Sequence, residues 1–206
     1  MTLELPRLML VTDRQRSRPG AMRASIAAGV PFIQVREKDL VDTELAAAIA
    51  CIAKLTEASE SNGKPASGPL LCVNGRPELA RRLEIGLHLP ADFATLGSRD
   101  FPLLGRSAHD DDEVERARSE AVDYLIVGTL FSSASKPGRA PLGLHAFAEL
   151  VRRAEPIPVF AIGGITPDRV AAVLACGGYG VAVTGAILQA DDPAATTQTF
   201  LEELQT

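Results

Sequence analysis

Short apolar runs alternate with longer segments of mixed polarity along the whole chain. Each run is rich in Leu, Val, Ile and Ala, and none shows the strict polar–apolar alternation of a strand with one face in water. Such continuous runs are typical of parallel strands that are covered on both faces. The predicted strands are residues 8–12, 32–36, 70–73, 87–89, 103–107, 124–127, 159–162 and 180–183.

The segments between these strands have the spacing of helices. Two of them begin with clear start signals, Thr166 before Pro167 and Asp192 before Pro193, where a capping side chain precedes a proline of the first turn. Residues 90–102 form a weak helix pattern, with room for one short turn. The predicted helices are residues 22–28, 42–59, 77–83, 112–120, 144–153, 167–175 and 193–204.

Eight strands with helical crossovers predict an α/β fold, a single compact (β/α)8 TIM barrel that spans residues 1–206 as one domain. An open, doubly wound sheet is the alternative, but no G-x-G-x-x-G follows the first strand. Residues 59–69 have the composition of a linker. They are interpreted as a surface loop, because the alternation of strands and helices resumes directly after them.

Composition and charge indicate which kinds of partner and which cellular location to expect. The 206 residues are 46% hydrophobic and carry a net charge of −5, so nucleic acid is not expected as the main partner. No apolar run is long enough to cross a membrane, and the N-terminus does not read as a signal peptide, so a cytoplasmic location is expected. Cys51, Cys72 and Cys176 are widely spaced in apolar surroundings and are predicted to be buried free thiols.

The last two predicted strands each end at glycines. Because glycine has no Cβ, a ligand can approach the backbone N–H groups there, and the loops after strands 7 and 8 of such barrels commonly hold phosphate. Gly163, Gly164, Thr184 and Gly185 are therefore predicted to bind a phosphate group. The alternative is that these glycines only turn strands into helices.

Polar residues follow the other strands, as an active site at the mouth of a barrel requires. Alternation along the second strand predicts that Gln34, Arg36 and Lys38 share one face, where two cations favour an anionic ligand. The alternative is that the cations pair internally with Glu37 or Asp13. The remaining polar positions at strand ends are Asp13, Asn74, His88, His109, Ser133, Ser135 and Lys136.

His109 precedes an acidic run, residues 110–113, and a histidine suits proton transfer near neutral pH. A solvated loop histidine is the alternative. The serines and the lysine of Ser133-x-Ser135-Lys136 form a candidate anion-binding set that lacks the glycine spacing of a Walker motif. Residues 137–143, rich in Gly and Pro, are predicted to form a mobile lid on the carboxyl side of the barrel.

In this order the motifs resemble the thiamin phosphate synthase/thiazole tautomerase (ThiE/TenI) superfamily over nearly the whole chain. The resemblance implies a (β/α)8 barrel that works in thiamin biosynthesis on a thiazole ethyl phosphate, and a homodimer, since members commonly dimerise. The motifs that carry it are residues 10–13 (LVTD), Gln34-x-Arg36-x-Lys38, Asn74, Gly105-x-Ser107-x-His109, Asp123-Tyr124, residues 128–136, residues 161–165 and residues 181–187.

The two branches of this superfamily differ in their need for metal. The synthase branch joins a pyrimidine pyrophosphate to the thiazole phosphate with Mg²⁺, and typically carries Asn-Asp after strand 3 and Gly-Gln-x-Asp after strand 4. Here the first is Asn74-Gly75, and the second is residues 90–93, Pro-Ala-Asp-Phe. Because Mg²⁺ is usually held through carboxylates, no metal is expected.

Three short motifs instead resemble the tautomerase branch: Asn74-Gly75-Arg76, Leu89-Pro90 and Gly105-Arg106-Ser107-x-His109. The resemblance therefore leads to the hypothesis of a thiazole tautomerase, with His109 as general acid/base and no metal or organic cofactor. In this hypothesis Arg36, Lys38 and Lys136 supply positive charge to the substrate, and further substrate contacts come from Gln34, Asn74, Ser133 and Ser135. Two alternatives stay open. One is a synthase with an altered metal site, and the other is a non-catalytic barrel that binds thiazole phosphate.

Overall fold

Each predicted apolar run forms a strand, and the eight parallel strands close into a barrel in the order of the sequence, with β8 pairing with β1. The computed structural model describes residues 5–60, 68–133, 138 and 140–205. The fold prediction is confirmed. The strands are β1 (Leu8–Val11), β2 (Phe32–Val35), β3 (Leu70–Asn74), β4 (Gly86–Leu89), β5 (Leu104–Ala108), β6 (Tyr124–Gly128), β7 (Val159–Ile162) and β8 (Gly180–Val183).

The helices cover the outside of the barrel and agree with the predicted segments to within one residue at most ends. The predicted helix 167–175 begins as a 3-10 turn, Pro167–Arg169. The sequence does not predict a four-residue helix that lies in the glycine-containing turn after β8. The helices are α1 (Ala21–Ala27), α2 (Asp42–Glu60), α3 (Pro77–Leu83), α4 (Asp111–Ser119), α5 (Gly143–Ala154), α6 (Val170–Ala175), α7 (Gly185–Leu188) and α8 (Pro193–Glu203).

The interior of the barrel is a separate core from the layer between strands and helices. Alternate strand residues point inwards, and four aromatic side chains fill the centre: Phe32, Tyr124, Phe160 and Tyr179. The rings of Phe32 and Tyr124 meet edge to face with centroids 5.6 Å apart, and those of Tyr124 and Phe160 at 5.7 Å. Such contacts fix ring orientation as well as burying apolar area. The barrel therefore has a solid floor beneath its open carboxyl end.

Arg106 holds the loop that follows β4. Its side chain points outwards from β5, is fully buried, and donates from Nε and Nη2 to the carboxylate of Glu120 at 2.6 and 3.0 Å. Nη1 donates to the carbonyl oxygens of Pro90, Ala91 and Phe93 at 3.2, 3.2 and 3.0 Å. These hydrogen bonds give partners to backbone carbonyl oxygens of a loop that has little regular structure. The loop contains only one short turn, as the sequence predicts for this segment.

The cysteines are free within the described residues, but the prediction that all are buried is wrong. Cys72 is buried in the barrel interior and Cys176 is partly buried, whereas Cys51 is exposed on α2. Apolar neighbours in sequence do not decide burial on a helix, because successive residues face different directions. Among the described helices, none combines the length and the apolar character that a transmembrane span requires.

We expect Arg106→Met to lower the free energy of unfolding by about 3–5 kcal/mol, because it removes the charge that pairs with the buried Glu120 carboxylate and three hydrogen bonds to the loop after β4. Urea denaturation measures the change. Arg81→Met is the matched control, since Arg81 also contacts two carboxylates but lies at the surface, and its loss should cost less than about 1 kcal/mol. Equal losses in the two variants would contradict this role of Arg106.

Candidate active site

A cavity of about 400 Å³ opens at the carboxyl ends of the strands, and all eight strands or the residues just after them contribute to its wall. Parallel strands bring their carboxyl ends to one face of the barrel, which is where barrel enzymes bind their ligands. The volume is suited to a small molecule. The cavity therefore lies where the sequence predicts an active site.

Most of the predicted site residues meet in this cavity. Its lining includes Gln34, Arg36, Asn74, His109, Ser133, Gly163, Gly164, Thr184 and Gly185. Ser135 and Lys136 lie outside the described residues, as do Pro137 and Arg139 of the predicted lid, and their roles stay predictions.

Lys38 is exposed and does not line the cavity, so the prediction that it shares a face with Gln34 and Arg36 is wrong. The physical reason is that β2 ends at Val35, and the alternation of side chains does not continue beyond it. Glu37 is instead the buried residue of this segment, and its carboxylate accepts a hydrogen bond from the backbone N–H of Arg14 at 2.9 Å.

The turn after β7 requires glycine at both predicted positions. Gly163 and Gly164 have φ angles of 101° and 64°, which are strained for other residues. A Cβ on Gly164 would lie 2.4 Å from the carbonyl oxygen of Ser132, and one on Gly163 would lie 2.5 Å from Cγ2 of Thr129. The loop after β6 thus packs directly on this turn, and the glycine backbone forms the cavity wall.

The turn after β8 leads straight into α7. Thr184 precedes this helix, and Gly185 and Ala186 are its first two residues. The first N–H groups of a helix have no acceptor within the helix. All three residues line the cavity and follow β8, which pairs with β7, the strand that precedes the Gly163–Gly164 turn. The two turns therefore present backbone at adjacent positions, as the sequence predicts.

Two arginines bring positive charge to the cavity. Arg36 lines it after β2, and Arg169 reaches it from the 3-10 turn after β7. Nη1 of Arg169 donates to the carbonyl oxygen of Gly164 at 2.5 Å, and its guanidinium lies 4.6 Å from the ring centroid of Phe131. Within the part of the chain that the structure describes, neither arginine forms an ion pair with a carboxylate. An anionic ligand would compensate both charges.

Arg169 is not among the residues that the sequence predicts for the site, although its place in the first turn after Gly163-Gly164 is a usable signal. The alternative of internal pairing for Arg36 is also answered by the geometry. Asp13 is the one carboxylate among the described residues that line the cavity, and it lies 3.7 Å from Nε of Arg16. Glu37 contacts the backbone of Arg14.

His109 lines the cavity after β5 and is held by Glu113. Its Nδ1 lies 2.9 Å from Oε2 of Glu113, and the same oxygen accepts from the backbone N–H of His109 at 2.7 Å. Asp110 caps α4 by accepting from the N–H of Glu113 at 2.9 Å. The acidic run thus both starts the helix and orients the imidazole, which is 28% exposed.

His88 is buried at the floor of the cavity, and both ring nitrogens have partners. Nε2 lies 2.9 Å from Oγ of Ser107, and Nδ1 lies 3.2 Å from the hydroxyl of Tyr124. Burial, with the nearby charges of Arg36 and Arg106, lowers the pKa of His88 to about 3. His88 is therefore a neutral imidazole at neutral pH, unlike a histidine in water.

The described residues do not fit the two-carboxylate magnesium site that the superfamily resemblance implies for a synthase. Gly75 has no side chain, and Asp92 is exposed and absent from the cavity wall. The loop that carries Asp92 has its carbonyl oxygens bound to Arg106. No group of three or more His, Cys, Asp or Glu side chains suited to a metal ion occurs among the described residues.

The closed barrel and its cavity place this chain among the (β/α)8-barrel proteins that bind a small molecule at the carboxyl ends of their strands. The chain belongs to the family described as "Thiamine monophosphate synthase" (TMP-TENI), which matches residues 8–187. The superfamily to which the sequence motifs point is thereby confirmed.

Two relatives show how far the likeness extends. The thiamine-phosphate synthase of Mycobacterium sp. (strain JLS) is 36% identical over 214 residues, which cover 96% of this chain and 92% of the relative. That of Synechococcus sp. (strain CC9605) is 35% identical over 210 residues, but this chain spans only 55% of its length.

Solved structures support the fold alone. A thiamine phosphate pyrophosphorylase from Pyrococcus furiosus superposes with a TM-score of 0.80 at 24% identity, covering 97% of this chain and 95% of that one. A 3-hexulose-6-phosphate synthase superposes with a TM-score of 0.69 at 14% identity, covering 97% of this chain and all of that one.

The hypothesis of a thiazole tautomerase is wrong. Relatives about 35% identical over most of the chain are named thiamine-phosphate synthase, which favours the transferase alternative. The chain is an enzyme of this family, but the isomerase assignment is not supported. It relied on the departures from the synthase pattern at Gly75 and Phe93 and on three short motifs at strand ends, and loops on a barrel scaffold vary without changing the family to which the scaffold belongs.

The pKa of His88 predicts how stability depends on pH. A histidine in the unfolded chain has a pKa near 6.5, so only the unfolded state takes up this proton as the pH falls towards 3. The free energy of unfolding should therefore fall, approaching about 1.4 kcal/mol per pH unit below pH 6, relative to a His88→Gln variant. Urea denaturation at several pH values measures it, with His145→Gln, at an exposed histidine, as control. Parallel pH curves for the wild type and His88→Gln would contradict the low pKa.

Proposed function

We propose that this chain is a transferase that makes thiamin phosphate from a pyrimidine pyrophosphate and a thiazole phosphate. The observation that carries the proposal is the relationship to a thiamine-phosphate synthase at 36% identity over nearly the full length of both chains. The cavity supports it independently, because two arginines without carboxylate partners among the described residues and two glycine-containing turns are suited to phosphorylated ligands.

The reaction depends mainly on stabilising the negative charge that develops on the leaving pyrophosphate. The thiazole nitrogen forms a bond to the methylene carbon of the pyrimidine while the bond from that carbon to the pyrophosphate oxygen breaks. The electron pair of the broken bond leaves with the pyrophosphate. Groups that are positive, or that donate hydrogen bonds, where this charge develops lower the barrier. No step of this chemistry requires the proton shift of a tautomerase.

The residues of the cavity divide between the two substrates. The Gly163–Gly164 turn, Thr184 and Gly185 bind the phosphate of the thiazole, with Arg169 beside them. Arg36 and Asn74, which follow β2 and β3, bind the pyrophosphate. Gln34 and Ser133 line the same cavity and contact the substrates.

His109 acts as a general acid towards the leaving pyrophosphate, with Glu113 holding its Nδ1 side. Because the described residues do not fit the two-carboxylate magnesium site, we infer that the positive charge comes from Arg36 and Arg169 of the chain itself.

Incubation with hydroxymethylpyrimidine pyrophosphate and thiazole phosphate tests the proposal. We expect thiamin phosphate and pyrophosphate to form in equal amounts, measured by chromatography and a coupled pyrophosphate assay, with parallel samples containing Mg²⁺ or a chelator. Binding of thiazole phosphate without release of pyrophosphate in either sample would contradict the proposal and favour a non-catalytic barrel.

Arg36→Gln should lower kcat/KM for the pyrimidine pyrophosphate by about 10- to 150-fold, the effect of losing a hydrogen bond to a charged group. Arg23→Gln is the control, because Arg23 is exposed on α1 and does not line the cavity. Steady-state kinetics with each substrate varied in turn measures both variants. Unchanged kinetics for Arg36→Gln would remove this arginine from the site.

A further inference from the structure

A chain of hydrogen-bonded polar side chains runs from the buried interior of the barrel to the cavity. It begins at Cys72, whose Sγ lies 3.5 Å from the hydroxyl of Tyr124. The same hydroxyl lies 3.2 Å from Nδ1 of His88, and Nε2 of His88 lies 2.9 Å from Oγ of Ser107. Ser107 and His88 line the cavity, whereas Cys72 and Tyr124 lie beneath it in the aromatic core.

The sequence makes room for this chain with a glycine. A Cβ on Gly105 would lie 2.1 Å from Cζ of Tyr124, so the ring can occupy its position only because residue 105 has no side chain. There it stacks on the ring of His88, with centroids 5.6 Å apart and an angle of 26° between the planes. Gly105 pairs with His88 in the sheet, and Ser107 follows on the same face of β5.

The ionisation of these groups restricts where each proton lies. Burial raises the pKa of Cys72 to about 12 and that of Tyr124 well above its ordinary value, so both keep their protons. Burial, with Arg36 and Arg106 nearby, lowers the pKa of His88 and keeps its ring neutral. A neutral imidazole has one N–H donor and one acceptor nitrogen.

The direction of the hydrogen bonds follows from the acceptors present. The Tyr124 hydroxyl has Nδ1 of His88 and the sulfur of Cys72 as acceptors, while the side-chain amide of Gln34 interacts with it as a donor. A thiol sulfur is a weaker acceptor than an imidazole nitrogen. Donation to Nδ1 leaves the histidine proton on Nε2, which then donates to Oγ of Ser107. The hydroxyl proton of Ser107 is not needed by His88 and is available to the cavity.

We propose that His88 is a positioning residue, which holds Ser107 by donating to its Oγ and so directs the Ser107 hydroxyl proton towards an anionic oxygen of the ligand. The proposal depends on the proposed function only in taking a phosphorylated ligand. The opposite tautomer, with the proton on Nδ1, would make Ser107 donate to Nε2 and would leave it no proton for an anion.

The tautomer is measured directly by NMR of the protein labelled with ¹⁵N in histidine. We expect His88 of the wild type to carry its proton on Nε2 at neutral pH, with Nδ1 at the chemical shift of an unprotonated nitrogen. In Tyr124→Phe the Nδ1 nitrogen loses its donor, and its chemical shift should move. A proton on Nδ1 of the wild type would overturn the proposal.

Calorimetry with inorganic pyrophosphate tests the consequence for binding. Ser107→Ala and His88→Leu should each weaken binding by about tenfold or more, and the double variant should be no weaker than either alone. His88→Gln should bind nearly as the wild type, because the side-chain amide keeps an N–H donor near the position of Nε2. His145→Gln is the control.

The His88 variants can be separated from general damage to the fold. Thermal unfolding shows whether the His88→Leu variant folds. If this variant does not fold, the proposal is decided by the pyrophosphate affinity of His88→Gln and by the tautomer of His88 in the wild type. Equal pyrophosphate affinity for folded His88→Leu and the wild type would overturn it. If the transferase assay fails but the tautomer and the pyrophosphate affinities are as expected, the proposed function is contradicted and the role of His88 stands.

Discussion

The closure of the sheet between β1 and β8 is the constraint on which the rest of the structure depends. Leu8 pairs with Val181 and Leu10 with Val183, so strands from the two ends of the chain become neighbours. Because all eight strands are parallel, closure brings their carboxyl ends into one ring. Asp13 and Gly185 belong to the same cavity only because this pairing forms. The barrel topology therefore determines which residues lie together in the cavity, and the side chains at those positions then determine its chemistry.

Within this ring, small residues and one buried cation determine what the mouth of the barrel can bind. Gly105 leaves room for the ring of Tyr124 in the core. Gly163 and Gly164 allow the loop after β6 to pack closely against the turn after β7. Arg106 fixes the loop after β4, where the superfamily resemblance implies a metal ligand in the synthase branch. A chain with a net charge of −5 thereby keeps a locally positive cavity, because Arg36 and Arg169 face it without carboxylate partners among the described residues.

The sequence predicts the fold well and the site in part, for physical reasons. Strands buried on both faces have a clear apolar signature, and glycine at the end of such a strand marks a tight turn, so the barrel and its two turns are predictable. Lys38 is misplaced because a strand pattern does not show where the strand stops. Arg169 and the His88–Ser107 contact depend on neighbours from other strands, which local sequence does not contain. The tautomerase hypothesis fails because it rests on a few short motifs and loop positions rather than on the relationship of the whole chain.

The proposed function places a phosphorylated thiazole in this cavity, with its phosphate on the turns after β7 and β8. A crystal structure of the protein with thiazole phosphate bound tests it most directly. We expect phosphate oxygens within hydrogen-bond distance of the backbone N–H groups of Gly164 and Gly185, with the Arg169 guanidinium alongside. A phosphate found elsewhere, with those N–H groups facing water, would contradict this phosphate site.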